Sequence, residues 1–184
     1  DIAFIGEIPA PPPASGTELV VNGDFQSGNA NWNAAESNIV SYFAANVESA
    51  GDPWSVNLSQ VITLEPGVDY ELSFKARASV ERNMVVGLGF NHDPWASATV
   101  TTDLTTEWQT FTYTINTTDP NQGAFGDDDS RVLFDMGAAV GEVHIDDVSL
   151  QLTGGDGTEL LSNSGFASGA EGWANATDKI VAYY

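Results

Sequence analysis

Three observations predict an all-β fold, a jelly-roll β-sandwich of two antiparallel sheets. Apolar and polar residues alternate with period two over several stretches. Clusters of Gly, Pro, Asn and Asp punctuate the chain about every 8–12 residues, as in sandwiches of many short strands. No long stretch carries a convincing helical period.

The elements follow in order. Over residues 68–78, Val68, Tyr70, Leu72, Phe74 and Ala76 fall on one side and Asp69, Glu71, Ser73, Lys75 and Arg77 on the other. That is a strand with one buried face. The run Val86, Leu88, Phe90 reads as another, ending in the turn Asn91-His92-Asp93-Pro94. Phe111, Tyr113 and Ile115 alternate with Thr110, Thr112 and Thr114. Val132, Phe134 and Met136 alternate with Leu133 and Asp135. In the last strand, Val143 and Ile145 are out of phase with Val148, Leu150 and Leu152, which predicts a bulge at Asp146-Asp147.

Composition narrows the function. The 184 residues carry 5 Lys and Arg against 26 Asp and Glu, a formal charge of −21. Such a chain repels phosphate backbones and anionic lipid surfaces, so nucleic acid is not its partner. No apolar run reaches the ~18–20 residues needed to cross a bilayer, which gives no expectation of membrane insertion. There are 0 cysteines, which excludes disulfides, thiolate nucleophiles and Cys-based metal sites.

Residues 1–16 end in a Pro-rich stretch read as a linker. Residues 17–43 then align without a gap with residues 158–184, at an offset of 141, with Asn22/Asn163, Phe25/Phe166, Trp32/Trp173 and Tyr42/Tyr183 among the identities. The reading is one repeat unit over 17–152, a junction at 153–157 and the opening of a second unit at 158–184. Strands cut from a sandwich leave backbone groups unpaired, so this last segment is expected to pair with a sheet edge of its own domain or of a neighbouring chain.

The order ELVVNGDF with Trp32 following, DPWSVNLSQVITLEPGVDYELSFKARAS at 52–79, EWQTFTYTI at 107–115 and VHIDDVSL at 143–150 resembles the family 4 carbohydrate-binding modules. The resemblance covers residues 17–152. It implies a jelly roll with a ligand cleft for soluble β-glucans or xylans, and a structural Ca2+ near the module's chain ends. It also implies an extracellular or cell-surface location.

Sugar recognition needs flat aromatic rings against the C–H faces of pyranose rings and planar polar groups at their edges. Trp54 and Trp95 each follow Asp-Pro, where the core alternation does not demand a large ring. Trp54 matches the family's cleft tryptophan. Trp32 serves either core packing or binding, and Trp108 points away from the inward face of its strand. Asn57, three residues after Trp54, and Asp135 resemble the family's polar cleft positions. Asn91 and His92 flank Trp95. Arg77 is either a hydroxyl donor or the end of a solvated row. For calcium, the resemblance points to Gly23, Asp24, Glu36 and Asp146; Gln26 stands where relatives carry an acid.

A glycosidase needs two carboxylates set across a cleft, and no such pair stands out; two histidines give little material for a His-centred site. The expectation is non-catalytic binding of β-glucan, laminarin-type β-1,3-glucan first and xylan or mixed-linkage glucan second. The role would be to target a larger secreted protein to polysaccharide. The alternative is a structural or adhesive repeat.

Overall fold

The computed structural model describes residues 40–183. Among them run β1 (Val40–Val47), β2 (Asn57–Ile62), β3 (Asp69–Ala78), β4 (Arg82–Phe90), β5 (Ser97–Leu104), β6 (Gln109–Asn116), β7 (Thr118–Asp119), β8 (Gly123–Ala124), β9 (Ser130–Asp135), β10 (Gly141–Leu152) and β11 (Ile180–Tyr183). One sheet has the order β11-β1-β10-β3-β6, the other β2-β9-β4-β5, and β7 and β8 form a small separate ribbon. Every pairing is antiparallel. The fold is the expected jelly-roll sandwich.

The period-two pattern decides which faces meet. In β3, Tyr70, Leu72, Phe74 and Ala76 are buried while Asp69, Glu71 and Lys75 face solvent. Val132 and Phe134 of β9 come from the other sheet, and Phe74 meets Phe134 edge-on with ring centroids 5.1 Å apart. Each such side chain contributes about 1.5–3 kcal/mol on burial. A slip of one residue would turn Lys75 inward in place of Phe74, so the register is fixed by the core. Phe111 and Tyr113 are only half-buried, because β6 is an edge strand; Ile115 is buried. The bulge in β10 is present: its register with β3 shifts between Asp146 and Ser149, and Asp147 has φ 47°.

The chain beyond Leu152 does not leave this sandwich. Leu161, Phe166, Trp173, Ala176 and Ile180 lie in the same core cluster as Phe43 and Leu58. β11 extends the five-stranded sheet beyond β1, with Ile180 opposite Phe43. On the other sheet, Ala174 bridges Ser59 of β2, and the Gln60 side chain holds the Ser162 backbone through both its N–H (2.8 Å) and its carbonyl (3.0 Å). Residues 153–157 therefore do not separate two cores. The linker at 1–16 and residues 17–39, with Gly23, Asp24, Trp32 and Glu36, lie outside the described residues.

Candidate functional site

β9 sorts its side chains by parity. Val132 and Phe134 enter the core, so Arg131, Leu133 and Asp135 face the outer side of the four-stranded sheet. Cross-strand pairing then sets three rows: Asn57, Asp135 and Val85; Ser59, Leu133, Gly87 and Thr99; Val61, Arg131, Gly89 and Ser97. The glycines keep this face open. A Cβ on Gly87 would lie 2.2 Å from the Ala98 carbonyl oxygen, so β5 approaches β4 here as no side chain would allow. The result is a cleft of about 640 Å³.

Two tryptophans stand at its ends. Trp54 sits in the 3-10 turn Pro53–Ser55 and is 65% exposed. That turn is pinned by the Gly137 N–H, which donates to the Pro53 carbonyl at 2.7 Å. Gly137 is required there, since a Cβ would lie 2.1 Å from Ser55 Oγ. Trp95 lies between β4 and β5, is 54% exposed and has φ 60°. A bulky residue is strained in that left-handed region, a condition that clusters at ligand sites. Its N–H donates to the His92 carbonyl at 2.8 Å, closing the turn. The Arg131 guanidinium lies over the Trp95 ring at 5.4 Å, and Arg131 Nε is buried with no hydrogen-bond acceptor among the described residues.

At the Trp54 end, Asn57 Nδ2 donates to Asp135 Oδ1 at 2.5 Å, and Asn175 Nδ2 donates to Asn57 Oδ1 at 3.4 Å. Burial pushes the Asp135 carboxyl above the usual range; the Asn57 hydrogen bond and the Arg131 charge oppose that. Phe90, Ser97, Thr99 and Leu133 complete the lining. Asp135 is the one carboxylate among these residues, and hydrolysis of a glycosidic bond needs two. What the cleft can do is stack apolar sugar faces on two rings and bond hydroxyls from Arg131, Asn57, Asp135 and Asn175.

The structure thus brings Trp54, Trp95, Asn57 and Asp135 to one cleft. Arg77 is elsewhere: it lies on the other sheet, with its guanidinium over Trp108 at 5.1 Å and its Nε donating to His144 Nδ1. β3 belongs to the five-stranded sheet, so its outward row faces away from the cleft. Asn91 supports the loop from behind, donating to Asp129 Oδ1 at 3.0 Å. His92 stacks on Phe90 and sets Nε2 2.9 Å from Asp127 Oδ2 and Nδ1 2.6 Å from the Asp93 carbonyl. Sequence reasoning missed Arg131 and Asn175. Continuing the alternation of Asp135 and Leu133 back by two positions finds Arg131. Nothing local marks Asn175, which comes from the repeated segment.

Of the calcium candidates, Asp146 is described. It lies at the β10 bulge, half-buried, and desolvation pushes its carboxyl up to about 6. Asp147 stands beside it and pairs with Lys75 at 2.7 Å. Both carboxylates have an oxygen 3.8 Å from where a Cβ on Gly165 would be. Calcium takes six to eight oxygens. The described residues gather no group of three acids or histidines, so a calcium site at this bulge would draw its further ligands from Gly23, Asp24 and Glu36.

A family of proteins described as "Carbohydrate binding domain" matches residues 17–125. A solved structure described as "CBM4 structure and function" is 29% identical, covering 72% of this chain and 98% of its own, with a TM-score of 0.52. The apo structure of the PbXyn10C carbohydrate-binding module is 23% identical over 79% of this chain and 89% of its own, with a TM-score of 0.55, a likeness of fold. No curated protein is matched.

Proposed function

The chain belongs to the family 4 carbohydrate-binding modules, non-catalytic domains that bind polysaccharide, and on that premise we propose that its cleft takes a soluble β-glucan. Laminarin-type β-1,3-glucan is the first choice and xylan or mixed-linkage glucan the second. The observation that carries this reading is the placement of Trp54 and Trp95 at opposite ends of one groove with a polar floor between them. Neighbouring strands of a sheet are rotated by about 20–25°. A ligand that runs between Trp54 and Trp95 crosses such a twisted surface, which favours a chain that turns between sugars over a flat ribbon.

The same proposal places the module outside the cell, targeting a larger protein to polysaccharide; a charge of −21 is suited to that setting. It includes calcium held by Asp146 together with Gly23, Asp24 and Glu36, when the segment carrying those three is brought to the β10 bulge. Affinity electrophoresis of the whole chain through laminarin, xylan, mixed-linkage glucan and cellulose derivatives tests the binding. Strongest retardation by laminarin, with no reducing ends released, is expected. Free migration through all of them would reject the β-glucan reading and leave the structural-repeat alternative.

A further inference from the structure

Two copies of the repeated segment exist, and among the described residues one of them fills a place in this sandwich. Residues 158–176 occupy that place: Leu161, Phe166, Trp173 and Ala176 are buried between β1 of one sheet and β2 of the other. The counterparts at an offset of 141 are Val20, Phe25, Trp32 and Ala35, apolar at every position. Both copies therefore carry the core pattern that the place demands.

They agree at three positions of positive φ, Asn163/Asn22, Phe166/Phe25 and Gly169/Gly28, and differ at others. Gly172 has φ 80°, a region that glycine enters at no steric cost; its counterpart is Asn31. Asn175 has φ 63°, a conformation that Asn tolerates and Ala resists; its counterpart is Ala34. Gly165 stands opposite the carboxylates of Asp146 and Asp147, of which Asp147 is paired with Lys75; its counterpart Asp24 would add a carboxylate beside Asp146, which is already short of solvent. The C-terminal copy also runs on into β11, which pairs with β1 from Val40 to Phe43. The N-terminal copy has no equivalent, because its matching residues 40–42 are already β1 itself.

We propose that the C-terminal copy outcompetes the N-terminal copy for this single place, so that in a chain of successive repeats each sandwich is completed by the opening segment of the repeat that follows. The exchange reaches the cleft. With the C-terminal copy in place, Asn175 lines the cleft and donates to Asn57; with the N-terminal copy, Ala34 would stand there and the donor would be lost. The following repeat thereby contributes a polar group to the preceding repeat's ligand site. Only this last consequence rests on the cleft being the ligand site.

The absence of cysteine permits a direct test on the whole chain. Ser59 and Ala174 face each other across an antiparallel bridge, where Cα atoms lie about 4.5–5.5 Å apart, within the range a disulfide accepts. Two double variants are compared under mild oxidation: Ser59→Cys with Ala174→Cys, and Ser59→Cys with Asn33→Cys, the counterpart of 174. The first pair should cross-link at least tenfold faster within one chain. Equal rates, a faster second pair or no cross-link in either would overturn the proposal. Thermal melts add a second reading. Trp173→Ala should lower Tm and Trp32→Ala should leave it unchanged; the reverse order would also overturn it. Neither measurement involves a carbohydrate, so failure of the β-glucan reading leaves this result intact.

Discussion

The two platforms are held by different means, and their variants should differ accordingly. Trp54 rides on a turn fixed from below by Gly137, and Trp95 is held with φ 60° beneath the Arg131 guanidinium. Neither ring enters the core, so removing one costs binding and not folding. Trp54→Ala and Trp95→Ala should each weaken glucan binding by about 10- to 100-fold, or roughly 1–3 kcal/mol for an aromatic anchor. Calorimetric titration against laminarin oligosaccharides, with thermal melts beside it, measures both effects. Trp95→Gly should lose as much affinity as Trp95→Ala while its Tm equals or exceeds the parent's, since Gly adopts this backbone without strain. A collapse of Tm in any of these variants would assign that ring to the core. The Asp-Pro-Trp context made both rings legible in the sequence. Arg77 misled because period two gives the face of a strand but not the sheet to which the strand belongs.

At the scale of elements, the loop between β4 and β5 has a built-in pH response. His92 faces an acceptor at each ring nitrogen, the Asp93 carbonyl and the Asp127 carboxylate. Only the imidazolium donates from both. Those hydrogen bonds, that to the Asp93 carbonyl first, raise its pKa above the ordinary 6.5, while His92 holds the Asp127 carboxyl below its usual range. The sign follows: the support this pair gives is complete between the ordinary carboxylate value and 6.5, fades as pH rises through the folded-state value of His92, and is lost in acid as Asp127 protonates. NMR titration of His92 should give a midpoint above 6.5, and Asp127→Asn should move it back towards 6.5. A midpoint at or below 6.5 in the parent chain would remove this role. The strands themselves were legible because burial and period two are the same fact in a half-buried sheet. The inward face of β6 was legible, but not that Phe111 and Tyr113 stay half-buried, since alternation does not reveal that a strand lies at an edge. The loop's ion pair was not legible, because Asp127 lies 35 residues from His92.

For the whole molecule, the repeat and its need for a sheet edge were plain in the sequence, and β11 takes the edge of its own sheet; that the segment also enters the core was not. A gapless match at an offset of 141 suggests two successive units, whereas the second copy's Phe166 and Trp173 complete the first unit's core. Local pattern cannot say which of two similar segments occupies one place; that is decided by a difference in free energy, made of the backbone and charge differences above. Calcium sets a further test of that competition. With residues 158–176 in place, Gly165 faces Asp146 and Asp147, and the described residues gather no group of three acids or histidines there. A chain ending at Gly155 retains only the copy that carries Gly23, Asp24 and Glu36. In that chain Asp24 would join Asp146, the two carboxylates would repel one another while Lys75 offsets Asp147, and a divalent cation would relieve the repulsion. An ion that binds only the folded form stabilises it by about 2.7 kcal/mol at a hundred times its Kd. Millimolar calcium should therefore raise the Tm of the shortened chain by several degrees, chelator should reverse the rise, and Asp24→Ala should abolish it. The full chain should melt at the same temperature with calcium or chelator. An equal calcium response in both chains would mean that the ion does not depend on which copy is in place, and no response in either would remove calcium from this module.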